Sequence, residues 1–173
     1  MPDDHIHHES IEERQQLARV AGYAIGTLAL TTVHHAYGAY AFGALWRLHV
    51  AVVSVPIAGA VAIAYARYRR GPRGTLETIS FYTVVGLTLV AAVAFFGGFE
   101  GAYNHVLKDA FYLADAPPRV IQQLFPRPTY EPPTDLFFEV TGILHVVPAA
   151  LAAIAIWRLL RAKSTVSVIR HAA

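Results

Sequence analysis

Nine histidines stand out in this chain of 173 residues, because it contains no cysteine and its only methionine is Met1. Without thiolate or internal thioether ligands, a metal site would have to use imidazole nitrogens and carboxylate oxygens, a donor set that suits iron, copper or zinc. Four histidines lie in the polar terminal segments, where we expect them to be solvated: His5, His7, His8 and His171. The other five histidines are therefore the candidates for a buried metal site.

These five histidines lie at the ends of apolar segments, together with two carboxylates and one amide. The predicted metal ligands are His34, His35, His49, Glu100, His105 and His145. Asn104 and Glu139 are predicted to orient those ligands or a substrate. Helix bundles build metal sites from inward side chains on facing helices. No Glu-x-x-His or His-Glu-x-x-His spacing is present, so the prediction depends on topology rather than on a local motif.

The elements that must position these residues are predicted to be membrane helices. The chain is 55% hydrophobic and 15% charged, well below the quarter or so that is charged in an ordinary soluble domain. Four stretches contain no Asp, Glu, Lys or Arg: residues 20–46, 48–66, 78–99 and 140–157. Each is long enough to cross a bilayer as a helix of about 18 residues or more. We therefore predict an all-α, integral-membrane, up-down four-helix bundle.

The predicted transmembrane domain covers residues 17–162 and is a single domain. Its helices are expected at about 17–42, 46–68, 77–108 and 135–162. Residues 1–16 form an N-terminal tail, residues 163–173 a second tail, and residues 109–134 an outer loop that contains six prolines. The long first apolar block follows acidic residues and leads into another span, so it does not resemble a signal peptide.

Lysine and arginine fix the expected orientation. Ten of the fourteen fall on the side that holds both termini and the loop after the second span, where Gly71-Pro72 ends the helix and Arg73 adds charge. The positive-inside rule then places both termini in the cytoplasm. Short loops and this bias suit a multi-pass protein of a bacterial inner membrane. The pI near 9.0 thus reflects orientation and contact with the bilayer, and no nucleic-acid partner is predicted.

In the up-down topology, every predicted site residue lies in the outer third of the membrane. Regular helical geometry places Glu100 and Asn104 on one face, and His105 on an adjacent face with Gly97 and Gly101. Those two glycines would let a neighbouring helix approach closely. The same geometry turns His34 about 100° away from His35 and Glu139 about 120° away from His145.

Two prolines lie inside predicted spans, Pro56 and Pro148. Each lies just inward of a histidine, His49 or His145, and removes a backbone hydrogen bond. A kink at either proline could open the bundle for a ligand, although membrane helices also tolerate proline without special purpose.

Several functions fit this pattern. The first is a non-haem metal site for redox chemistry or for the modification of a lipid or hydrocarbon. The protein would then be a metal-dependent membrane oxidoreductase, and the sequence assigns no catalytic residue to it. The second is a non-catalytic subunit of a membrane complex or homo-oligomer. It would either carry electrons on haem b, held by His35 with His105 or by His49 with His145, or act as a metal-free scaffold or assembly protein. The third is metal-free proton or headgroup handling. Taken singly, each residue could also be an interfacial or helix-capping side chain.

Overall fold

The computed structural model describes residues 2–71 and 74–172, and side chains for residues 11–71 and 74–161. Within these ranges the chain forms helices and connecting turns, without strands. The expectations for Pro72, Arg73 and the terminal histidines fall outside the residues whose side chains are described.

Seven α-helices, a 3₁₀ turn and a π-helix follow one another in the described part of the chain. They are α1 (Pro2–Ala41), the 3₁₀ turn (Leu45–Arg47), α2 (Leu48–Arg70), α3 (Thr75–Leu87), the π-helix (Thr88–Leu107), α4 (Lys108–Leu113), α5 (Pro118–Leu124), α6 (Leu136–Leu144) and α7 (Val146–Ala172). The helix α1 begins at Pro2 and includes most of the segment expected to be a tail. Pro56 lies within α2, which continues to Arg70.

Three helical segments are long and apolar enough to cross a membrane: Leu45–Arg70, Thr75–Leu113 and Leu136–Arg161. Large apolar side chains such as Val52, Val90 and Ile154 are exposed along them, as expected for surfaces that contact a lipid bilayer. The helix α1 is long enough but is not among the three, because threonines and two histidines dilute its apolar residues. The prediction of a membrane protein is confirmed at this level.

Apolar and polar contacts separate along the length of the helices. The apolar core joins the first half of α1 to the second half of α2, the second half of α3 and the middle of α7, through residues such as Val20, Val61, Val84 and Leu159. The second half of α1 packs with the π-helix and α6, where most of the buried ionisable side chains lie. One end of the molecule therefore supplies hydrophobic stabilisation, and the other holds a polar cluster.

Two departures from α-helical geometry lie at the polar end. The π-helix replaces α-helical turns over residues 88–107. The rod formed by α6 and α7 is interrupted at His145, whose backbone N–H bonds to the Gly142 carbonyl at 3.2 Å. Pro148 has no N–H to offer the Leu144 carbonyl, which accounts for a break at this position.

Asp135 fixes where α6 begins. Its Oδ1 accepts a hydrogen bond from the Phe138 backbone N–H at 2.9 Å, which makes it an N-cap, and its Oδ2 accepts one from the Tyr37 hydroxyl at 2.8 Å. Both bonds favour the ionised carboxylate, and the bond from Phe138 contributes most to lowering the Asp135 pKa below its ordinary value. The cap therefore ties α6 to α1 one turn before Glu139.

This cap predicts a pH dependence of stability. A carboxylate with a lowered folded-state pKa stabilises fully above its unfolded pKa, and the contribution is lost as pH falls through the folded value. Between about pH 6 and about pH 3, where carboxylates titrate, the melting temperature of the wild type should fall further than that of Asp135→Asn. Asp115→Asn is the matched control, because Asp115 is exposed and its positive φ of 51° is one that Asn tolerates. Equal pH slopes in all three proteins would contradict the prediction.

Gly97 permits close contact between the π-helix and α7. A Cβ at this position would overlap the Ala149 Cβ, whereas a Cβ on Gly86, earlier in the same rod, would meet nothing. Gly97→Ala should therefore lower the free energy of unfolding by about 1–3 kcal/mol through overpacking. Gly86→Ala should leave it unchanged or raise it, because alanine is the better helix former. Denaturant unfolding of both variants in detergent measures the difference, and equal stabilities would refute the close contact.

Candidate metal centre

Five of the six predicted ligands are buried at the polar end of the molecule. His34 and His35 come from α1, Glu100 and His105 from the π-helix, and His145 from the break between α6 and α7. His49 is not brought to them: it is exposed on α2, where its ring stacks on Trp46 and its Nδ1 bonds to the Trp46 carbonyl.

Glu100 is the centre of the cluster. Its Oε1 lies 3.4 Å from His34 Nε2, 3.5 Å from His35 Nε2 and 3.6 Å from His105 Nε2. The Nε2 atoms of His34 and His105 are 3.2 Å apart. Donor atoms of His34, His35 and Glu100 all lie within 4.8 Å of one another. Three imidazole nitrogens thus converge on one carboxylate oxygen.

The outer hydrogen bonds indicate which ring nitrogens carry protons. His105 Nδ1 is 2.6 Å from Glu139 Oε2, an ionised oxygen that can only accept, so Nδ1 carries the proton. His34 Nδ1 is 2.9 Å from the Thr141 hydroxyl, whose own proton goes to the Phe137 carbonyl at 2.8 Å. His34 Nδ1–H is therefore the donor as well. In the neutral rings, both Nε2 lone pairs then face the centre.

Among the residues whose side chains the structure describes, neither ring nitrogen of His35 has a hydrogen-bond partner, although His35 is only 6% exposed. A buried polar atom left unsatisfied costs about 1–3 kcal/mol. Asn104 donates to the second oxygen of Glu100, Oε2, at 2.7 Å, which leaves Oε1 for the three histidines. An additional group bound at the centre would satisfy His35.

His145 is turned away from this centre. Its Nδ1–H donates to the Gly142 carbonyl at 3.0 Å, and its Nε2 lies 3.0 Å from the Thr31 hydroxyl, whose one proton also has the Thr27 carbonyl as an acceptor at 2.9 Å. Its ring meets the His34 ring edge-on, with centroids 5.3 Å apart. His145 therefore supports His34 by packing, and neither of its nitrogens faces Glu100.

Two buried cations lie at the outer side of the cluster. Lys108 is 2% exposed and its Nζ is 2.9 Å from Glu139 Oε1. Arg47 is 5% exposed and lies over the rings of Phe42, Trp46 and Phe138. The Phe138 ring in turn stacks on His34 at a centroid distance of 4.2 Å.

The balance of charge favours a bound cation. Glu100, Glu139 and Asp109 are buried carboxylates, and Lys108 and Arg47 are the buried cations beside them. With neutral histidines these five groups sum to one negative charge. Charges in low dielectric must be compensated, so a metal cation or a proton among the imidazoles would stabilise the cluster.

The π-helix explains why Glu100 and His105 lie on one side of their helix, which α-helical geometry did not predict. Its hydrogen bonds close at i+5, so residues five apart, such as Glu100 and His105, lie nearly above one another. Similarly, the break at His145 lets both Glu139 and His145 reach the cluster. Lys108, which pairs with Glu139, is absent from the predicted site residues. Its spacing of three residues from His105 is the signal in the sequence that points to it, whereas no such signal points to Arg47 or Thr31.

No family model, curated protein or solved structure matches the chain. Its function must therefore be inferred from the geometry of its own residues.

The bond between Thr141 and His34 makes a testable contribution to stability. Thr141→Val keeps the shape of the side chain and leaves the buried His34 Nδ1–H without an acceptor, so the free energy of unfolding should fall by about 1–3 kcal/mol. Thr83→Val is the control, because the Thr83 hydroxyl donates only along its own helix, to Ile79. Chemical unfolding of both variants measures the loss, and a loss of the same size in both would refute a special role for Thr141.

Proposed function

We propose that this chain is a multi-pass membrane protein that binds one divalent transition-metal ion through His34, His35, Glu100 and His105. The observation that supports this most is the convergence of three Nε2 atoms on Glu100 Oε1, with the outer nitrogens of His34 and His105 already bonded to Thr141 and Glu139. Metal-binding histidines ordinarily use their second nitrogen in this way.

Four of the six separations among the proposed donor atoms fit a small ion, and His34, His35 and Glu100 are the three whose donors all lie within 4.8 Å of one another. Zinc–nitrogen bonds of about 2.0–2.1 Å in a tetrahedral site separate neighbouring donors by about 3.4 Å. The four short separations in the cluster range from 3.2 to 3.6 Å. A bound ion would also satisfy His35 and balance the excess of buried carboxylates.

The donor set is compatible with iron, copper or zinc and excludes none of them by geometry alone. Two histidines with one carboxylate are the usual ligands of non-haem iron, and this site adds a third histidine. In apolar surroundings such an ion could support redox chemistry or the modification of a lipid or hydrocarbon. Haem b is the weaker candidate, because His49 of one expected axial pair is exposed and stacks on Trp46. In the other pair, His34 Nε2 and Glu100 Oε1 lie 3.2 Å and 3.6 Å from His105 Nε2, where a macrocycle would have to fit.

The membrane arrangement is part of the proposal. We take α1 as a fourth crossing beside the three apolar spans, which gives a four-helix bundle with both termini in the cytoplasm. The metal then lies near the outer face of a bacterial inner membrane, beneath residues 114–135. Of the polar residues of α1, His34 and His35 are, in this arrangement, the two that face the ion.

Metal analysis of the protein purified in detergent tests the site. We expect about one transition-metal ion per chain, no Soret band, and loss of the metal in His35→Ala and in His105→Ala. His49→Ala should keep the full content, because His49 is exposed and points to Trp46. Reloading the stripped protein with iron(II), copper(II) or zinc(II) ranks the ions.

A second pair of variants separates loss of a ligand from loss of its position. A Cβ on Gly142 would overlap the His105 ring, so Gly142→Ala should weaken metal binding with every ligand still present. Gly59→Ala meets no neighbour and should bind normally. A metal-free wild type would refute the proposed site, and so would full metal content in both His35→Ala and His105→Ala. A Soret band would instead support the haem-carrying subunit.

A further inference from the structure

Lys108 is the largest of the fully buried side chains in the described part of the protein. Its ammonium group donates hydrogen bonds to Glu139 Oε1 at 2.9 Å and to the Glu131 backbone carbonyl at 3.0 Å. Asp109 Oδ1, at 3.3 Å, adds an ion-pair contact without a hydrogen bond. The site proposed above does not itself require this residue.

The first of these contacts leads to the proposed metal site. Glu139 accepts from Lys108 through Oε1 and from His105 Nδ1 through Oε2. The carboxylate therefore has one oxygen for the lysine and the other for a proposed ligand. Removing Lys108 would leave Glu139 buried without its cation, and the orientation of His105 depends on Glu139.

The second contact leads to the covering segment, which we define as residues 126–134. Lys108 holds the Glu131 carbonyl, and Arg47 holds the Thr129 carbonyl at 3.3 Å. The ends of the segment are fixed separately: the buried Phe125 packs against Tyr103, and Asp135 caps α6. Between those ends, the Tyr130 ring packs against Phe125, and hydrogen bonds from the two buried cations hold the backbone of the segment.

We propose that Lys108 is a positioning residue that couples closure of residues 126–134 to the orientation of His105, and so to metal affinity. This inference rests on the proposed metal site. Opening the segment removes an acceptor from a buried ammonium, which weakens the hold of Lys108 on Glu139 and of Glu139 on His105. Coupling of this kind is reciprocal, so metal binding must stabilise the closed segment by the same factor.

Four variants separate charge from geometry. Lys108→Met removes the ammonium, and Lys108→Arg restores a cation. Arg119→Met makes the same change of charge on α5, where the side chain is exposed. The double variant Lys108→Met with Glu139→Gln removes both buried charges and keeps an acceptor for His105, so a folded protein without the link is available even where Lys108→Met alone is unstable.

Zinc affinity and cobalt absorption give the first readout. Each protein is stripped with a chelator and titrated with zinc against a competing dye. We expect Lys108→Met to bind about 10- to 100-fold more weakly, as for the loss of other groups that orient metal ligands. Its cobalt(II) spectrum should shift because His105 is reoriented, and Lys108→Arg should recover part of the affinity. Arg119→Met should match the wild type.

Hydrogen exchange of residues 126–134 gives the second readout. In the wild type, zinc should slow exchange in this segment. In Lys108→Met and in the double variant, the segment should exchange faster without metal and gain little protection when zinc is bound. Arg119→Met should again behave like the wild type.

Failure of this inference differs from failure of the metal site. Wild-type zinc affinity and an unshifted cobalt spectrum in Lys108→Met, or zinc protection of the segment that persists without Lys108, would overturn the coupling and leave the metal site standing. A wild type that binds neither ion would overturn the metal site and the coupling together. Faster exchange in metal-free Lys108→Met would then show only that Lys108 holds the segment.

Discussion

The carboxylate of Glu100 is buried at the point where α1 and the π-helix meet, and the surrounding structure compensates its charge. A lone carboxylate in apolar surroundings is among the most costly groups that a protein can bury. Three imidazoles face its Oε1 and the Asn104 amide donates to its Oε2. Neutral imidazoles cannot supply a full positive charge, so the arrangement favours a cation at the shared centre. This electrostatic demand makes the cluster more than a set of polar residues at a membrane interface.

Irregular helix geometry brings these groups together. In a regular α-helix, Glu100 and His105 would diverge, whereas the π-helix aligns them. The interruption at His145 similarly lets Glu139 and Thr141 face His105 and His34 while His145 bonds to Thr31. Glycines allow the helices to approach closely in the same region: Gly142 faces the His105 ring, and Gly101 lies against His145. Irregular backbone geometry, together with glycines that have no side chain, thus allows α1, the π-helix and the segment formed by α6 and α7 to share one polar centre.

The apolar helices and the identity of most cluster residues could be predicted from the sequence, because charge-free stretches and histidines near their ends are local signals. The prediction of close packing at Gly97 and Gly101 followed from their spacing, and both glycines contact α7 or the break before it. The alignment of Glu100 with His105 could not be predicted, because α-helical periodicity assigns them to different faces. His49 was predicted to be a ligand from its depth alone, and nothing local distinguishes an outward histidine from an inward one at the end of a helix.

Separation of the apolar core from the polar cluster has a consequence for stability and function. Leu17, Val61, Phe81 and Leu159 hold the apolar end of the helices together without any polar contact at the site. The polar end has few such contacts and depends on hydrogen bonds among charged groups, which are expensive to bury and therefore depend on every partner being present. A local change at the polar end can then alter the cluster and its cover while the apolar core remains packed. That division allows a buried, covered centre to exchange a ligand without unfolding the helices that position it.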